Sequence, residues 1–111
     1  MKGQDAASAE LMHALGYLYL RAGQASRALV FLLIANRIHP NDPGILRSLV
    51  TGLIESGSGE RALGAIERLE LLEKQPYPET YLLRARALWV VGERTEARRC
   101  FRDYVSLRKT K

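Results

Sequence analysis

The sequence predicts an all-α fold in which six antiparallel helices stack as three pairs into a short right-handed solenoid with a concave groove. Three observations predict it. Gly23, Gly57 and Gly92 recur at intervals of 34 and 35 residues. The same offsets relate Ala28 to Ala62 and Ala97, and Leu32 to Ile66 and Phe101. Helix-opening prolines, Pro43 and Pro78, alternate along the chain with those helix-closing glycines. A period of this size marks stacked helical hairpins, each too small to bury its own apolar face. With 111 residues the chain makes one domain, 1–111, divided into repeats 9–42, 43–76 and 78–111.

The elements follow in order. The first helix is expected over 6–22, after a polar segment, 1–5, that is expected to be mobile. Gly23 ends it by supplying the left-handed conformation, and a second helix runs over 25–38. Asp42-Pro43 gives an N-cap followed by proline at the first helical position, opening a third helix over 43–56. Gly57 closes it and a fourth follows over 59–73. Lys74-Gln75-Pro76-Tyr77-Pro78 is the only linker, and Pro78 opens the fifth helix, 78–91. Gly92 separates it from the sixth, 94–109. No strand is expected. Close crossings should pair Gly16 with Ala28 and Ala85 with Ala97, because only small side chains let two helices approach so nearly. Larger apolar residues fill the space between pairs.

Residues 9–42 resemble the tetratricopeptide repeat through Leu15, Gly16, Tyr19, Ala28, Leu32 and Pro40, with Met12 where that motif places a tryptophan. The second copy keeps Leu46, Leu49, Leu53, Ala62 and Ile66, with Val50 at the small position. The third keeps Tyr81, Ala85, Leu88, Ala97 and Phe101.

Composition narrows the function. The chain is 47% hydrophobic and 26% charged, and its longest apolar run, Ala28 to Ala35, is too short to cross a bilayer. Nothing near the N-terminus suits a signal peptide, and the single cysteine, Cys100, has no partner for a disulfide; a soluble cytoplasmic protein is expected, without membrane insertion. The net charge is +5, and all of the excess lies in 78–111, where nine basic residues face four acidic ones. Arg94, Arg98, Arg99 and Arg102 could track a phosphate backbone, but nucleic acid is not the expected partner.

Catalytic and metal chemistry find no foothold. His13 and His39 stand on different helices with no ligand at metal spacing. Cys100 has arginines nearby but no base, so it reads as a structural thiol. Gly57-Ser58-Gly59 lacks the strand and the Gly-Lys of a phosphate loop. No enzyme, no cofactor and no metal are expected.

What remains is surface. In repeats of this kind the first helices line the concave groove, at positions occupied here by His13, Tyr17 and Leu20, by Arg47, Thr51 and Ile54, and by Leu82, Arg86 and Trp89. This apolar, aromatic lining suits an amphipathic helix or an extended segment, although Leu20, Ile54 and Trp89 also admit a reading as core. Co-chaperones of this repeat class grip the C-terminal tails of Hsp70 and Hsp90 with Lys, Asn and Arg. The matching positions here are His13, Tyr17, Ser48, Glu79 and Leu83, so that clamp is absent. A second apolar surface is expected on the convex side of repeat 1, at Val30, Phe31 and Ile34, where later repeats carry Gly64 and Arg68 or Arg99 and Asp103. It should be covered by residues 1–8 folding back, by a second copy in a homodimer of the free chain, or by a partner that wraps the domain.

Over nearly its whole length the chain is similar to the small tetratricopeptide chaperones of bacterial type III secretion, YscY type. The likeness is carried by Leu15-Gly16-Tyr17-Leu18, Gly59-Glu60-Arg61-Ala62, Leu83-Arg84-Ala85-Arg86-Ala87-Leu88, and the ending from Gly92 through Ala97-Arg98 to Phe101, Tyr104 and Leu107. The resemblance implies a virulence-associated cytoplasmic chaperone in protein transport. Its partner would be an early export substrate, a YscX-like secreted protein, presented to the cytoplasmic domain of the export gate without ATP. The basic balance departs from the acidic character common among such chaperones. The alternative is another tetratricopeptide protein–protein adaptor, such as a needle-subunit co-chaperone or assembly factor.

Overall fold

Three glycines punctuate the chain in the left-handed region, Gly23 at φ 75°, Gly57 at 84° and Gly92 at 90°. Each ends a helix and turns the chain back into its partner, with the bonds Gly23 N–H to Leu20 O and Gln24 N–H to Tyr19 O typical of such a close. The computed structural model describes residues 2–75 and 77–109, and in them six helices and no strand. They are α1 (Lys2–Arg21), α2 (Ala25–Ile38), α3 (Pro43–Glu55), α4 (Gly59–Leu72), α5 (Pro78–Val90) and α6 (Arg94–Lys109). Asp42 caps α3, its carboxylate accepting from the N–H of Ile45 at 3.1 Å. The expected start of α1 at residue 6 needs correcting. The helix begins at Lys2, because nothing in Lys2-Gly3-Gln4-Asp5 caps or breaks it, and Asp5 in the first turn favours the helix dipole. Residues 2–8 therefore run straight on as the first turns of α1 and do not fold back over the convex side.

Within repeat 1 the crossing is as close as the small residues require. A Cβ added to Gly16 would lie 2.6 Å from Leu32 and 3.3 Å from the carbonyl of Ala28. Ala28, Ala62 and Ala97, which share a repeat position, are all buried. One continuous core joins the pairs through Leu32, Leu46, Leu53, Ile66 and Leu69, and a smaller cluster of Ala9, Ala35 and Ile45 closes the N-terminal end.

Each second helix packs on the first helix of the next pair, α2 on α3 and α4 on α5. First helices also touch, α1 with α3 and α3 with α5, whereas α2, α4 and α6 make no contact with one another among the described residues. The first helices are thus drawn together on the inner side and the second helices splay on the outer, which curves the stack.

Candidate functional site: the open face of the last helix pair

At the first two junctions the next helix covers the core position of the pair before it: α3 lies over Leu32 and α5 over Ile66, and both are fully buried. Phe101 holds the same repeat position in α6. No described helix lies over it, since α6 touches α5 alone, and Phe101 is 50% exposed. On α5, Leu82, Ala85, Arg86 and Trp89 fall at i, i+3, i+4 and i+7 and share one face. The two helices enclose an open cleft of about 770 Å³ with an apolar floor of Leu82, Ala85, Trp89, Ala97 and Phe101 and a basic rim of Arg86, Arg98 and Arg102.

Electrostatics distinguish the rim residues. Arg86 reaches Glu55 of α3 at 3.6 Å and is partly neutralised. Arg94 stacks its guanidinium over Trp89, 4.7 Å from the ring centroid. Arg98 and Arg102 form no ion pair among the described residues. Both are exposed and available to an anionic group. Covering each 100 Å² of the apolar floor would contribute roughly 2.5 kcal/mol to an association, before the costs of binding.

The predicted groove residues separate into four groups. Leu82, Arg86 and Trp89 come together at this cleft. Tyr17 is exposed, and His13 spans α1 and α3 through a hydrogen bond between its Nε2 and Ser48 Oγ at 2.8 Å. Ile54 is only 6% exposed and belongs to the core, while Leu20 is partly buried against that core with a methyl 3.6 Å from the space a Cβ on Gly52 would take. Thr51 donates its hydroxyl to the carbonyl of Arg47. Arg47 itself pairs at 3.7 Å with Glu73, whose almost buried carboxylate also accepts from the Thr80 hydroxyl at 2.8 and 3.0 Å. That group fastens the linker between the second and third pairs.

On the convex side of repeat 1, Val30 and Ile34 are exposed, together with Leu33, which the sequence reading left out. Phe31 is turned partly inward and stacks on Tyr19, centroids 5.3 Å apart. At the equivalent Gly64 a Cβ would meet nothing, and Arg68 reaches back to Pro40 O and Asn41 Oδ1.

Cys100 is buried, and burial pushes its thiol pKa above the ordinary thiol value against the opposing pull of Arg84, so it is a poor nucleophile at neutral pH. Among the described residues no cluster of His, Cys, Asp or Glu is placed to hold a metal ion. No helix among them is long and apolar enough to cross a membrane.

The residues that sequence reasoning missed are Arg98 and Arg102 as rim, and Phe101, read only as a core position. The signal was present. Arg98 occupies the repeat position of Leu29 and Leu63, and a basic residue there marks the third pair as different.

Among solved structures the chain is similar to the tetratricopeptide domain of Arabidopsis FLU. The TM-score is 0.84 at 18% sequence identity, over 96% of this chain and 99% of that one. No protein-family model matches the chain, and no match is found among curated proteins. The likeness to the FLU domain establishes the tetratricopeptide fold.

Proposed function

We propose that this protein is a polypeptide-binding adaptor that holds a segment of another chain against the open face of α5 and α6 and the adjoining concave surface. The observation that carries this reading is the cleft itself: about 770 Å³, with a tryptophan and a phenylalanine in its apolar floor, each about half exposed at 47% and 50%, and basic residues at its edge. A surface of that kind fits the anchor residues of a bound peptide, and aromatic residues in such a place supply much of the affinity.

Within the adaptor class we propose the chaperone of an early type III export substrate, YscY type. The quoted sequence segments and the three-repeat length support it, as does the exposed apolar surface on two sides of the molecule, at Trp89 with Phe101 and at Val30 with Ile34. A chaperone of this kind would keep an aggregation-prone secreted protein soluble by covering its apolar segments with its own.

Co-expression with the product of the adjacent gene tests both levels. The proposal expects a soluble complex of defined stoichiometry whose formation shifts the emission of Trp89, the single tryptophan. A chain that stays monodisperse alone, and recovers no polypeptide from its own host or its gene neighbour, contradicts the adaptor reading. A partner unconnected with secretion would leave the adaptor and remove the chaperone.

A further inference from the structure

We infer that the cleft of α5 and α6 is the seat of a partner helix that stands where a fourth pair's first helix would stand, and that this helix presents a carboxylate to Arg98. The inference rests on the polypeptide-binding reading and adds to it the conformation, the position and the charge of what is bound.

The two internal junctions give the geometry. At the first, Gly52 of α3 sits on Leu29 of α2, where an added Cβ would lie 3.0 Å from Leu29 Cδ2. At the second, Ala87 takes the position of Gly52, and it packs beside Gly59 of α4 with its carbonyl 3.0 Å from the space of a Cβ there. In both, a small residue on the incoming helix meets an apolar or small residue on the pair below. At the open face Leu29 and Leu63 are replaced by Arg98, while Ala25 and Gly59 are replaced by Arg94. The floor keeps its apolar character at Phe101, in the place of Leu32 and Ile66.

A helix seated here therefore needs apolar side chains over Phe101 and an acidic one where Gly52 and Ala87 stand in the internal first helices. A guanidinium covered without a counter-charge is costly, and a carboxylate meets it with strong, directional hydrogen bonds. Arg102, one turn further along α6 and also unpaired among the described residues, widens the preference for an acidic helix. Internal first helices are 13 residues long in α3 and in α5, which sets the length of the occupant at about that size.

The same comparison argues against a second copy stacking end to end. Its α1 would bring Leu18 to the position of Gly52 and Ala87. A leucine there would cover Arg98 without neutralising it.

The test appends a second copy of residues 43–55 to Lys111 of the full chain through a short glycine-serine linker, so that a weak helix is presented at high effective concentration. The copy contains no tryptophan, which leaves Trp89 as the reporter. Two versions are made in the appended copy alone, Gly52→Glu and Gly52→Lys, each in the parent and in an Arg98→Glu background. We expect the Gly52→Glu version to melt about 4–8 °C higher than the Gly52→Lys version and to alter Trp89 emission, and the order to reverse with Arg98→Glu. Equal melting of the two versions, or an order indifferent to Arg98→Glu, overturns the helix seat. So does self-association of the parent chain in sedimentation that Phe101→Glu abolishes, because a second copy would then occupy the face. The polypeptide-binding reading is judged separately: a natural partner that binds the parent and Arg98→Glu chains equally, while Trp89→Ala weakens it, leaves that reading intact and removes only the helix seat.

Discussion

Ala28 carries no chemistry, yet it limits how closely α1 and α2 can cross. It is fully buried, and its carbonyl lies at the point where Gly16 passes. Ala28→Leu is expected to overpack this crossing and destabilise the domain by about 1–3 kcal/mol, read from denaturant unfolding. Cys100 gives a pH signature of opposite origin. Burial raises its pKa above the ordinary thiol value, so in the alkaline interval between the two the folded chain keeps a proton that the unfolded chain has lost. Stability should then fall as pH rises through that interval, and Cys100→Ala should lack this component of the decline. At pH 7 the thiol should react with disulfide reagents far more slowly than a free cysteine does. Small and helix-closing residues were legible in the sequence because their steric requirement is local. Ile54 was not, since its burial depends on how α3 sits between its neighbours, and counting repeat positions places it in the groove when packing places it in the core.

Helices depend on their ends as much as on their faces. The reading of Asp42-Pro43 as the start of α3 matches the structure, where the Asp42 carboxylate accepts the Ile45 N–H. Asp42→Ala should cost about 1 kcal/mol and fray α3, measurable as faster amide exchange at Gly44 and Ile45 with the rest of the core unaffected. Five of the six helix starts, those of α2, α3, α4, α5 and α6, come directly from such caps, prolines and glycines. The N-terminal end of α1 did not, because polar residues read as a loose tail when no breaker or cap defines a start; the structure continues the helix to Lys2. The cleft was only half legible for a similar reason. Leu82, Arg86 and Trp89 were found by position on α5, whereas the contribution of α6 required noticing that nothing described follows it to cover Phe101.

For the whole molecule, curvature and exposed apolar surface matter together. First helices converge and second helices splay, leaving one apolar face open beyond the third pair and another on the convex side of the first. Val30→Glu combined with Ile34→Lys should leave helix content and melting nearly unchanged, because both side chains already face solvent. If a partner wraps the solenoid, or a second copy covers this side, the same double change should weaken that complex or that dimer; unchanged affinity and unchanged oligomeric state would restrict binding to the α5–α6 side. The repeat period was readable because each pair repeats the packing of the last. The functional faces were harder to read, since they are the places where that repetition stops.

The central claim is that polypeptide binding is anchored at the open face of the last helix pair, and the affinity of the isolated natural partner for the Trp89→Ala chain tests it most directly. Trp89 is 47% exposed and is not part of the buried core, so the variant should fold with the circular dichroism and unfolding midpoint of the parent. Isothermal titration should then show binding weakened by about 30-fold or more, the loss expected of an aromatic anchor worth about 2 kcal/mol. Parent-like affinity in a variant shown to be folded would contradict the claim and place the binding surface elsewhere on the solenoid.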